Sequence, residues 1–159
     1  MLLRFAYLLP VLLLLLAGCK KDNCDEGYAS AREFADADTQ NTYTELGNTG
    51  MLYYISDTGS VAKPTRQDTV TADYTGYFPD GEIFDQTTAA RGPATFALQN
   101  VIAGWQLGVP LIGRGGSIRL VIPSELAYGA RGSIDRSTGE YSICPNTDLV
   151  FDIDLIDFN

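Results

Sequence analysis

The chain has no histidine, and among its 159 residues only three are cysteine and one is tryptophan. Without imidazole, Ser-His-Asp and Cys-His catalysis are excluded, as is every zinc site that uses histidine. Basic residues are also scarce: 11 Lys and Arg stand against 20 Asp and Glu, a formal charge of −9. No basic patch with interleaved aromatics stands out, so nucleic acid and acidic lipid headgroups are poor partners. The acidity serves solubility.

A long apolar run occurs only at the amino terminus. Met1–Leu16 reads MLLRFAYLLPVLLLLL. One basic residue precedes a stretch too short to span a bilayer comfortably, the pattern of a cleaved leader. Leu16-Ala17-Gly18-Cys19 closes it as a lipobox, with small residues before a thiol that takes up diacylglycerol. This tetrapeptide in this place resembles those of bacterial lipoproteins; the competing reading is an ordinary secretory leader followed by a chance cysteine. We therefore expect a leader at 1–18, a lipidated Cys19, and a chain anchored by acyl groups in the bacterial envelope. Lys20 after the acylated cysteine resembles lipoproteins sent on to the outer membrane; which face they occupy stays open.

Cys24 and Cys144 are the remaining thiols. Two cysteines make no structural zinc site, and outside the cytoplasm they either pair or stay free. Sequence leaves both open, because pairing is decided by geometry. Residues 19–50 are polar and irregular and are expected to form a tether, with Tyr28–Ala37 having the composition of a short helix. The folded domain is expected at 51–159, about 110 residues and enough for one core. Internal repeats are absent.

Within that domain the pattern is mostly strand. Met51–Ser56, Asp68–Phe78, Glu82–Asp85, Thr95–Leu98, Ser117–Ile122 and Leu149–Phe158 read as strands. Phe78-Pro79-Asp80-Gly81 carries turn chemistry between the second and third. In the last strand Leu149, Phe151, Ile153 and Leu155 point inward, while Asp152 and Asp154 point out. Asn100–Val109 reads as the domain's one short helix, with Trp105 in it. The expected fold is α+β: a curved antiparallel half-barrel wrapped around that helix.

Four pieces, VTADYTGYFPDGEIFDQT, VIAGWQLGV, LVIPSELAYGARG and ICPNTDLVFDIDLI, occur in order from Val70 to Ile156. Together they resemble the FKBP-type peptidyl-prolyl cis-trans isomerases. The chemistry suits a chain without a catalytic dyad. An X–Pro amide rotates over about 18–20 kcal/mol and needs no nucleophile, metal or cofactor to rotate faster. A dry aromatic cup that favours the twisted, less polar amide supplies differential binding.

The resemblance implies a role for each residue. Trp105 forms the floor, Tyr74, Phe84 and Phe151 the aromatic walls, and Val101 and Ile102 an aliphatic wall. The Ile102 amide and the Tyr128 hydroxyl donate to substrate carbonyls. Asp85 sits at the rim and helps hold Tyr74, and Ile143 lies in a flap above the cup. Taken singly, Phe84 and Phe151 read as core filler and Asp85 as a solvated carboxylate; their joint placement assigns them to the site. Phe96 and Leu120 are expected in the core, and Ala103 and Gly104 are expected to let the chain enter the helix steeply.

The sequence departs from the family pattern at three places. Ala94 stands where relatives carry a large apolar residue, which opens the cup on one side. Arg91 is displaced by about one position from the basic residue that pairs with the Asp85 equivalent. The loop from Ala130 to Pro145 is long and polar. Expected partners are proline-containing exported polypeptides and, against the opposition of Ala94 and the long loop, macrolides. Two rivals remain from sequence: a lipid-anchored peptide-binding module or holdase using the same cup, and a scaffold subunit that docks through the long loop.

Overall fold

The computed structural model describes Cys24 and residues 27–159. The expected leader at 1–18 and the expected lipidation site Cys19 lie outside the described residues. After helix α1 (Ala31–Ala37) come strands β1 (Thr44–Glu45), β2 (Leu52–Asp57), β3 (Thr69–Tyr77), β4 (Ile83–Gln86) and β5 (Ala94–Ala97). Helix α2 (Ala103–Gly108) follows, then β6 (Gly116–Ile122), β7 (Ser133–Ile134), β8 (Tyr141–Ile143) and β9 (Leu149–Phe158). Seven strands form one sheet in the order β1-β2-β6-β9-β3-β4, with β5 also on β3, while β7 and β8 pair separately. All pairings are antiparallel. The curved sheet with one helix in its hollow is the expected half-barrel. Among the described residues no helix is long and apolar enough to cross a membrane.

Register decides which residues meet in the hollow. Phe151 lies opposite Leu120 on one side and Gly76 on the other; Ile153 lies opposite Ile118 and Tyr74 in the same way. Because side chains alternate along a strand, these rows share one face. Leu149, Phe151, Ile153 and Leu155 are all buried there with Leu120, as their spacing predicts.

The helix is shorter than its sequence pattern. Val101 and Ile102 are extended, so Leu98–Asn100 forms a separate 3-10 turn and α2 begins only at Ala103. Gly104 serves a purpose different from the steep entry expected of it. A Cβ there would lie 2.6 Å from Ile122, and one on Gly108 would lie 2.5 Å from Leu120. Four residues apart, the two glycines form one bare stripe that lets α2 press its backbone onto β6.

The other face of the sheet departs from the tether expectation for residues 27–50. Leu52, Val121, Val150 and Tyr77 line up across β2, β6, β9 and β3. Ala31 and Ala35 of α1 cover that row, with Phe34 and Tyr43 beside them. A helix of seven residues is marginal alone. Here Ser30 and Glu33 form a capping box, and the Asp148 carboxylate takes the Ala31 amide at 2.6 Å. In the next row Arg119 grips Asp152 through two nitrogens at 2.5 and 2.9 Å and reaches Asp38, beyond α1, at 3.3 Å. The helix lies within Tyr28–Ala37, where its composition suggests one; alanine is too weakly apolar to announce that it packs on the sheet, which is why the segment reads as a tether.

The long loop also carries order. β7 and β8 form a hairpin closed by the Asp135 amide on the Glu140 carbonyl at 2.9 Å. Directly after β8, Cys144 is joined by a disulfide to Cys24, with Cα atoms 5.5 Å apart. The bond ties the N-terminal arm to the end of the hairpin.

Candidate active site

Trp105 is 3% exposed and forms the hub of a cleft of about 360 Å³ in the hollow of the sheet. Tyr74, Phe96 and Phe151 present to it at centroid distances of 5.4, 5.6 and 5.4 Å, each within about 12° of perpendicular. Edge-to-face contacts of this kind satisfy the ring quadrupoles and fix the indole in place. Phe84 continues the wall, 5.5 Å from Phe151 and nearly perpendicular to it. The fit is close: a Cβ on Gly76 would meet Phe84 at 2.7 Å and Phe151 at 2.8 Å. Glycine in the YTG stretch thus lets two walls converge.

The polar groups stand at the mouth. The Tyr74 hydroxyl donates to Asp85 at 2.5 Å. Burial holds the Tyr74 phenol well above its ordinary pKa, and the hydrogen bond and charge of Asp85 push it further the same way. Tyr128, on the turn after β6, is raised by burial and then by the Asp85 charge. Its side chain lines the cleft while remaining 39% exposed overall. Among the described residues no ion pair joins Arg91 to Asp85; Arg91 acts only as a nearby charge that favours Tyr74 ionisation.

Val101 and Ile102 form the aliphatic side. Ile102 accepts at its carbonyl from Trp105 and Gln106, leaving its own amide without an acceptor among the described residues. Gln106 ties down the chain just before it, donating to the Val101 carbonyl at 2.8 Å and the Gln99 carbonyl at 3.2 Å. Arg66 holds the other end of the Gln106 amide at 2.5 Å. Sequence reasoning passed over Arg66 and Gln106, because their partners are backbone carbonyls and each other.

Eight expected residues thus line one cleft: Tyr74, Phe84, Asp85, Val101, Ile102, Trp105, Tyr128 and Phe151. Ile143 is not among them. It is 4% exposed, and its carbonyl packs where a Cβ on Gly132 would lie 2.4 Å away. The β7–β8 hairpin and the disulfide turn it into the core instead of over the cleft. Phe96, expected as pure core, is half-buried and lines the wall. The signal was present, since Phe96 lies two residues after Ala94 on the same face of β5. Asn100 also lines the mouth and was missed.

The sequence profile of the family described as FKBP-type peptidyl-prolyl cis-trans isomerase matches residues 60–156. The chain belongs to that family. The chain is 40% identical over 136 residues to the probable FKBP-type peptidyl-prolyl cis-trans isomerase FkpA of Neisseria meningitidis serogroup B, covering 86% of this chain and 46% of the relative. It is 38% identical over 132 residues to the outer membrane protein MIP of Legionella longbeachae, covering 83% and 54%. The crystal structure of a peptidyl-prolyl cis-trans isomerase from Pseudomonas syringae pv. tomato matches with a TM-score of 0.67 and 38% identity, over 81% of this chain and 90% of that one. The chain spans about half the length of the curated relatives it matches.

Proposed function

We propose that this FKBP domain accelerates cis-trans isomerisation of X–Pro bonds in exported polypeptides. The proline ring rests on Trp105, between Tyr74, Phe84 and Phe151. The Ile102 amide and the Tyr128 hydroxyl donate to carbonyls on either side of the rotating bond, and Asp85 holds Tyr74 at the rim. Rotation removes amide resonance, so a dry aromatic surface binds the twisted form better than the planar one. An acceleration of 10⁴ to 10⁶ asks for about 5.5 to 8 kcal/mol of such preference. The observation that carries this reading is the cleft itself: an indole floor ringed by edge-on aromatics, with an unpaired amide and a tyrosine at its mouth. Refolding of a protein limited by proline isomerisation tests it. Substoichiometric chain should speed the slow phase and Trp105→Ala should abolish the effect; binding of unfolded protein with no change of rate favours the holdase reading.

The same reading places the domain in the bacterial envelope, anchored through a lipidated Cys19, as the lipobox and the name of the MIP relative support. With residues 27–50 packed and Cys24 pinned to Cys144, the leash is short. Cys19 to Cys24 spans about 17 Å fully extended, where a tether free to Met51 would reach about 110 Å. The domain then works at the membrane surface and meets clients there. Macrolides are proposed ligands of the same cleft, with Phe96 supplying apolar wall near Ala94.

A further inference from the structure

An aromatic run leads out of the cleft to the N-terminal arm. Behind the Phe84 wall lies Phe78, 5.2 Å away and 5% exposed. Behind Phe78 lies Tyr28, stacked on it at 4.4 Å with the planes 20° apart. Phe78 also builds the turn that delivers Phe84 and Asp85. Its amide donates to the Glu82 carbonyl and its carbonyl takes the Gly81 amide, both at 2.8 Å. Burial raises the Tyr28 phenol above its ordinary pKa, and the charges of Glu82 and Asp80 in that turn push it the same way.

Tyr28 is held from both sides. The Cys24–Cys144 disulfide fixes the chain before it. After it, Asp148 takes the Ala31 amide with one oxygen and the Ser124 amide with the other, at 2.6 and 2.8 Å. Yet Tyr28 lies well ahead of residues 60–156, which carry the family match.

We propose that Tyr28 is a positioning residue for the cleft: stacked on Phe78, it sets where the β3–β4 turn holds Phe84, and so the width of the cup. The arm is then part of the isomerase and not only its leash. The kinetic test rests on the isomerase reading and is designed to separate the two.

The full chain in detergent is compared with Tyr28→Ala, Tyr28→Phe and Phe34→Ala on proline peptides with Ala, Leu or Phe before the proline. Phe34 stays in the same arm but packs on Tyr77, 6.1 Å away, outside the run. Tyr28→Ala should lower kcat about threefold to tenfold, the range expected of a misplaced wall, and unevenly across the three peptides. Tyr28→Phe should restore the wild-type profile. Phe34→Ala should lower Tm with kcat and profile unchanged. An unchanged profile in Tyr28→Ala, or an equal shift in Phe34→Ala, overturns the proposal. If the wild-type chain does not accelerate isomerisation, the isomerase reading fails instead. The positioning role is then decided by titrating the same peptides against Trp105 fluorescence: Tyr28→Ala must weaken binding several-fold and Tyr28→Phe must not, and equal affinities sink it.

Discussion

The Tyr74 hydroxyl donates to the Asp85 carboxylate at 2.5 Å across the mouth of the cleft, making the rim a single unit. Burial and then Asp85 keep the Tyr74 phenol protonated above its ordinary range. Replacing the carboxylate by an amide removes the charge of Asp85 and leaves burial, the largest cause, in place. Asp85→Asn should therefore lower the Tyr74 pKa while keeping it raised, measurable by ultraviolet difference titration above pH 10. Asp85→Leu should also lower kcat/KM about tenfold to a hundredfold, as expected for loss of a group that orients the site. Because Asp85 is exposed, its melting curve should barely move.

Gly76 tests the closeness of the walls. A methyl there falls 2.7 Å from Phe84 and 2.8 Å from Phe151, so Gly76→Ala must push rings that line the cleft. Activity should fall by more than tenfold, with a stability cost of about 1–3 kcal/mol from overpacking. Gly104→Ala presses on Ile122 instead and should cost a similar amount of stability. Pairing it with Ile122→Val should recover part of that loss in thermal melts; no recovery would show that Ile122 is not the neighbour that matters.

Much of this was legible in the sequence because strands announce their faces. Alternation in Leu149–Phe158 placed Phe151 and Ile153 in the core, and the ordered pieces brought eight cleft residues together. What stayed hidden depends on contacts between distant segments. Ala31 and Ala35 carry no strong apolar signal, and nothing local shows that the outer row of Leu52, Val121 and Val150 is the seat of α1. Gly104 reads as a local turn residue because Ile122, which it must clear, is far along the chain. Ile143 was misplaced for the same reason: the hairpin and the Cys24–Cys144 bond decide its direction, and neither follows from local pattern.

Asp38 is an acid-sensitive point of the arm. Hydrogen bonds from Asn41 and then Tyr43 hold its carboxyl down at about 2. A carboxyl depressed in the folded state contributes stability above its unfolded value near 3.9, and that contribution is lost as pH falls toward 2. Asp38→Asn should therefore lower Tm by about 3 °C at pH 6, equivalent to about 1 kcal/mol after solvent screening, and by almost nothing near pH 2. A constant difference across that range would mean that packing, not charge, holds the arm.

The disulfide and the proposed lipid make the last prediction together. Cys24 and Cys144 are 120 residues apart, so the bond closes most of the chain into one loop. Its removal by Cys24→Ser should cost about 2–4 kcal/mol, and mass spectrometry without reductant should show the two cysteines linked in the wild type. The anchor is separable from this: Cys19→Ser should release the chain from membranes without altering its melting curve. The short leash needs both bonds. In intact vesicles, a protease cutting between Cys24 and the folded arm should leave the oxidised domain on the membrane and release the reduced one, because only the disulfide then connects them. Release from both forms would show that the domain is not held through Cys24.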